Sequence, residues 1–172
     1  PARHRTRLGR DRACPRARMV AMKVVRGDLL ALAQQGRFDV IVHGCNCQVA
    51  MGAGIAKSIR DRFPEAWEAD RATAKGDPAK LGTVSVAEVA RDGTTFTVVN
   101  AYTQDQWRGR GRKVEYGAVR AAMMEVRNRF SGRRIGYPRI GAGLAGGDWG
   151  VIARIVDDVL EGEDHTLVEF DG

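Results

Sequence analysis

Cysteine is scarce in this chain: three of 172 residues, at positions 14, 45 and 47. That is too few, and too unevenly placed, for a disulfide framework. Cys45 and Cys47 stand one residue apart, and a bridge between them would be badly strained. A reducing, cytoplasmic setting is therefore expected. Long apolar runs are absent too, and none approaches the ~20 residues that span a bilayer. The first 18 residues contain no serine, no amphipathic stripe and no apolar core of a secretory signal. There is no internal repeat, and no low-complexity segment beyond this N-terminal stretch.

The charge that is present lies mostly in one place. The net charge is +7, which by itself suggests a nucleic-acid partner. Residues 1–18 hold seven arginines and one acid, Asp11, and so carry +6 of it. The remaining 21 basic and 20 acidic residues nearly cancel. A short arginine-rich arm binds phosphates through counterion release; its other reading is a solvated tail. Met19 and Met22 precede the first strand-like segment, and translation is expected to start at one of them, leaving residues 1–18 as a non-native extension. A single domain is expected over residues 19–172, long enough to bury a core without metal or disulfide staples.

Hydropathy alternates between short apolar runs and helical stripes. Strands are expected at 22–27, 38–44, 83–90, 94–101, 133–138 and 166–170. Helices are expected at 28–35 behind an Asp28 cap, at 54–63, at 64–76 opened by Pro64, at 114–130 and at 148–160. Residues 102–113, YTQDQWRGRGRK, read as a polar loop. This order predicts an α/β domain whose central sheet is mixed and mostly parallel.

Two glycine-rich loops follow strand ends and lead into helices: MGAGIAKSI after the strand near His43, and GAGLAGGDW after the strand near Pro138. Ligands of open α/β sheets bind beyond the carboxyl ends of the strands. Backbone N–H groups at helix starts hold anions there, and two such loops flanking one crevice suit a diphosphate. Glycines also serve turns and close packing. Neither loop has Rossmann spacing, and no Gly-Lys-Ser/Thr of a P-loop is present. The stretch IVHGCNCQVAMGAGIA admits a metal reading as well, since His43, Cys45 and Cys47 share one side of an extended segment. No fourth ligand is near in sequence, and small buried cysteines are the simpler account. No metal or cofactor is expected.

The segments VVRGDLL, IVHGCNCQVAMGAGIA and YPRIGAGLAGGDW, in that order, resemble the macrodomains, a family of ADP-ribose-binding, three-layer α/β/α domains. The resemblance covers about residues 22–170. It is nearest the branch that holds ADP-ribose-1''-phosphatase-like proteins and a terminal ADP-ribose glycohydrolase. It implies that Asp28, with Leu29 beside it, accepts from the adenine amino group; Asp28 also reads as a plain helix cap. It implies Asn46 at the distal ribose, where an amide both donates and accepts; an Asx turn is the alternative. Gly52, Ala53, Gly54 and Ile55 would wall the distal ribose and diphosphate, and Gly141, Ala142, Gly143, Leu144 and Ala145 would wrap the phosphates. Phe170 would stack on adenine or pack in the core.

Three residues are candidates for chemistry: Asn46; His43, which at a strand end reads equally as a group that orients water or acts as general base or acid and as a satisfied, half-buried histidine; and Asp148, activating a water or capping a helix. The glycohydrolase's lysine has no counterpart around Thr103 or Gln104, and its aspartate is replaced by Ala145. Gln104 and Asp105 are secondary candidates. The implied activity is removal of mono-ADP-ribose from acidic protein side chains or nucleic-acid bases. An ADP-ribose-1''-phosphate phosphatase and a non-catalytic ADP-ribose reader are the alternatives. The implied partners are ADP-ribose and ADP-ribosylated protein or DNA, with no membrane.

Overall fold

A computed structural model describes residues 22–171. The arginine-rich arm expected at 1–18, and Met19, lie outside the described residues. The chain runs β1 (Lys23–Arg26), α1 (Leu29–Gln34), β2 (Val40–Asn46), α2 (Gly54–Arg62), α3 (Pro64–Arg71) and a short 3-10 turn (Pro78–Lys80). It continues β3 (Val84–Arg91), β4 (Thr94–Gln104), α4 (Tyr116–Phe130), β5 (Ile135–Tyr137), α5 (Trp149–Val159) and β6 (His165–Glu169). Among the described residues six strands form one sheet in the order β1-β6-β5-β2-β4-β3. Only the β3–β4 pair, joined at Asp92–Gly93, is antiparallel.

Side chains alternate across the sheet, so each buried strand feeds two cores. On β2, Val40 and Val42 join Val99 and Ala101 of β4 under α4 and α5, against Val119, Met123, Ile152 and Val156. Ile41 and Val98 point the other way, toward Leu30 of α1, Ile59 of α2 and Ala66 of α3. The result is three layers, α/β/α. Among the described residues no helix is long and apolar enough to cross a membrane.

Most boundaries shift by a residue or two from the sequence expectation, and three shifts have a structural cause. β2 runs on to Asn46 and β4 to Gln104, because the two strands keep pairing past their apolar stretches. Their register slips at the end: Cys45 faces Tyr102 but Asn46 faces Gln104, leaving Thr103 as the extra residue of a bulge. Bulges of this kind re-aim side chains next to sites. α3 stops at Arg71 rather than 76, where Asp70 O accepts from Thr73 N and Thr73 Oγ1 and turns the chain.

Candidate functional site

The carboxyl ends of β1, β2, β4, β5 and β6 open onto two cavities, of about 960 Å³ and about 630 Å³. Gly54, Ile55, Pro138, Arg139 and Gly143 line both, so the two are halves of one cleft. The glycine loops face each other across its waist: a Cβ on Gly54 would stand 3.5 Å from Leu144 Cδ1.

The larger half is bounded by Asp28, Leu29 and Phe170. Phe170 is 75% exposed, which excludes core packing and leaves its ring free at the rim. Asp28 caps α1, with Oδ1 accepting from Leu30 N at 2.8 Å and Ala31 N at 3.3 Å. Its Oδ2 accepts from Arg62 Nη1 at 2.7 Å, and Arg62 also reaches Gln34. Burial pushes the Asp28 carboxyl upward, but the Arg62 guanidinium and the two N–H groups outweigh it and hold the pKa below the usual value. Asp28 is thus a fixed carboxylate at one end of the cleft.

The smaller half contains Asn46, Gly52, Ala53, Gly141, Leu144 and Ala145. Asn46 is the Asx turn as well as a cleft residue. Its Oδ1 accepts from Gln48 N at 3.0 Å and its Nδ2 donates to Ala50 O at 2.9 Å. The loop it holds includes Val49 at φ 54°, left-handed for a β-branched residue and costly without support. Thr103, 1% exposed, lines the same cavity with a buried Oγ1 that has no hydrogen-bond partner among the described residues.

The two loops do not offer the same anion site. α5 is capped by Asp148, whose Oδ1 accepts from Gly150 N at 2.7 Å and Val151 N at 3.3 Å. That use of the first-turn N–H groups closes the helix start behind the second loop. α2 starts at Gly54 behind Ala53, and no side chain caps it. Its positive end is the one that opens into the cleft.

Two of the residues singled out for chemistry lie elsewhere. His43 does not face the cleft. It lies within β2, three residues before the strand ends, on the Ile41 side of the sheet, and is fully buried. Its Nε2 is 2.7 Å from Asn100 Oδ1, and Asn100 Nδ2 donates to Ala66 O and Ser85 Oγ. Asp148 caps α5 through its Oδ1 and lines neither cavity. Neither is Asp105 in the lining, whereas Gln104 is. Cys45 also lines the smaller half, and burial first, then the nearby Asp70, raises its thiol pKa well above the usual value. His43, Cys45 and Cys47 form no three-ligand metal group.

Burial holds the His43 pKa down to about 4, with the Asn100 bond offsetting part of the shift. The unfolded chain takes up a proton near pH 6.5 that the folded chain refuses until about pH 4. The His43 contribution to stability is therefore complete above pH 6.5 and falls as pH drops through this window, by about 3 kcal/mol at most. Denaturant titrations at a series of pH values check this. A His43→Gln variant should show a shallower dependence, the residue of the slope coming from His165, whose pKa burial also lowers.

Sequence reasoning overlooked Trp107, which is 49% exposed and lines the smaller half. It also gave no role to Arg62 or Arg139, both in the larger half. Arg139 is held there by Glu169. The available signal was a lone tryptophan inside a polar, glycine-containing loop.

The profile of the Macro domain family matches residues 42–156. An uncharacterized 17.5 kDa protein of enterobacteria phage T4, from the tk-vs intergenic region, is 36% identical over 155 residues, 87% of this chain and 97% of the phage protein. The DNA ADP-ribosyl glycohydrolase of Mycobacterium tuberculosis is 25% identical over 123 residues, 72% of this chain and 34% of that enzyme. This chain therefore spans about a third of the glycohydrolase. Among solved structures, the macrodomain of Mycobacterium tuberculosis DarG superposes with a TM-score of 0.67 at 21% identity, covering 87% of this chain and 96% of that one. Thermosipho africanus DarTG in complex with ADP-ribose gives 0.64 at 15% identity, covering 86% and 41%. At those identities the likeness concerns the fold. With the phage relative and the family profile agreeing over most of the chain, the protein belongs to the macro domain family.

Proposed function

We propose that the cleft binds ADP-ribose and that the protein is an ADP-ribosyl hydrolase, removing mono-ADP-ribose from modified macromolecules. The observation that carries this reading is the geometry of the single cleft. A fixed carboxylate, Asp28, and an exposed ring, Phe170, stand at one end. An uncapped helix start lies at the waist, and the amide of Asn46 and the unpartnered hydroxyl of Thr103 stand at the other end. That sequence of groups suits adenine, diphosphate and distal ribose in turn. The similarity to a DNA ADP-ribosyl glycohydrolase supports hydrolysis as the reaction.

In the proposed step a water oxygen bonds to C1'' of the distal ribose. The bond from C1'' to the macromolecule's oxygen or nitrogen breaks, its electron pair leaves with the macromolecule, and the water proton is released. The protein contributes position and charge: the α2 N–H groups fix the diphosphate, and Asn46 and Thr103 orient the ribose and water. No histidine, carboxylate or lysine is among the residues lining the smaller half. That lining favours a second reading, an ADP-ribose reader without turnover.

The test incubates the full chain with glutamate-linked ADP-ribosylated protein, base-linked ADP-ribosylated DNA and ADP-ribose-1''-phosphate. Release of free ADP-ribose from either of the first two is expected. Release from the third alone makes the protein a phosphatase. Tight ADP-ribose binding with no release makes it a reader, and no binding at all ends the reading.

A further inference from the structure

We infer that the loop of residues 105–113 is a docking surface for a single-stranded nucleic acid. The strand would lie across the mouth of the smaller half of the cleft. Placing a modified base in the cleft rests on the function proposed above; binding of the strand itself does not.

The loop reads DQWRGRGRK: four cations and one acid, Asp105, whose Oδ1 accepts from Gln48 Nε2 and pairs with none of them. Arg108, Arg110 and Arg112 are exposed, and none of them pairs with a carboxylate among the described residues. By contrast Arg62, Arg91, Arg120 and Arg134 each meet an acid within 2.7 Å. Adjacent unpaired cations repel one another and create a positive potential. Gly109 and Gly111 alternate with them at φ +96° and +79°, left-handed positions that glycine adopts without strain.

The same loop carries an aromatic ring at the cleft. Trp107 is half exposed, lines the smaller half, and has the Arg108 guanidinium 4.4 Å from its centroid. A flat ring beside guanidinium groups is a stacking platform for bases with an electrostatic track for phosphates. Tryptophan also anchors protein interfaces, but arginines alternating with glycines beside a half-exposed ring fit the phosphates and stacked bases of a single strand.

The loop is tied to both walls of the cleft. Cys47 N donates to Gln104 O and Asp105 O, and Gln48 Nε2 donates to Asp105 Oδ1 at 3.1 Å. At the other end Lys113 N donates to Ala145 O at 2.8 Å and Glu115 N to Thr103 O at 2.9 Å. The ring and the cations are therefore held beside the distal end, where the macromolecule carrying an ADP-ribose would emerge.

The test measures binding of a labelled, unmodified single-stranded DNA oligonucleotide to the full chain over a salt series. Wild type should bind. Replacing Arg108, Arg110 and Arg112 together by glutamine should weaken binding at least ~10-fold and make the log–log salt slope shallower by about 2, as three lost phosphate contacts require. Trp107→Ala should weaken binding ~10-fold with the slope unchanged, and Trp107→Phe should restore most of it. An affinity and slope that the triple substitution leaves untouched would assign strand binding to another region and overturn the inference. So would a loss seen with a glutamate-rich peptide and not with the oligonucleotide, which points to an acidic protein. ADP-ribose affinity of the triple variant, measured separately, should match wild type. A protein that binds the strand and not ADP-ribose refutes the proposed function and leaves this inference standing.

Discussion

Gly143→Val will sharply weaken ADP-ribose binding and leave the fold intact. Gly143 lines both halves of the cleft. A Cβ added there meets nothing within 4 Å, and its backbone is not left-handed. The new side chain would occupy the waist, where the diphosphate is proposed to lie. We expect an affinity loss of ~100-fold or more, about 2.7 kcal/mol. Stability should change by no more than about 0.5 kcal/mol, as at other open surface positions. Gly141, two residues earlier, supplies the contrast. Its φ is +71°, and a Cβ would stand 2.6 Å from Val114 Cγ2 and 3.2 Å from Ile152 Cδ1. Gly141→Ala combines a left-handed alanine, ~1–2 kcal/mol, with overpacking, ~1–3 kcal/mol. Its Tm should fall by roughly 5–15 °C. Isothermal calorimetry and thermal melts on the two variants check both parts. Normal ADP-ribose binding by Gly143→Val would move the ligand away from the waist.

The two glycines look alike in the sequence, and their difference shows how far a sequence reading reaches here. The alternating core of β2 and β4, the helix stripes and the mostly parallel sheet were legible, because each depends on local periodicity. All thirteen positions expected to touch the ligand line the cleft. The ends of the strands were not legible. Cys45, Asn46, Thr103 and Gln104 are not the apolar residues that mark a strand, yet β2 and β4 pair through them. Ending β2 at Gly44 brought His43 to the cleft on paper. The longer strand leaves it inside the sheet, and alternation from Ile41 turns it toward Asn100 and α3. The placement of Trp107 depends on bonds such as Gln48 to Asp105, 57 residues apart. No local pattern encodes such a closure. Asp148 was legible in one of its two roles, the cap, and the structure uses that one.

Asn46→Ala is expected to lower turnover ~100-fold and to weaken ADP-ribose binding by a smaller factor. An amide can make four hydrogen bonds. Two are spent on the loop, Oδ1 accepting from Gln48 N and Nδ2 donating to Ala50 O. One N–H and one lone pair are left for the distal ribose. Truncation costs both kinds of bond. Losing the loop bonds leaves two backbone groups without partners, ~1–3 kcal/mol each where water cannot replace them. It also releases the strained Val49 turn, so the wall formed by Ala50 and Gly52 loses its position. Asn46→Asp separates the two roles. The carboxylate can still accept from Gln48 N, but it cannot donate to Ala50 O and it adds a negative charge near the diphosphate. If Asn46 acts only through the loop, Asn46→Ala should lose stability and binding in proportion, Asn46→Asp should lose further binding through its charge, and both should keep kcat unchanged at saturating substrate. If it also holds the ribose for attack, kcat should fall in Asn46→Ala beyond the loss in binding. Equal kcat in wild type and Asn46→Ala would restrict Asn46 to the loop and leave Thr103 as the group that orients the water.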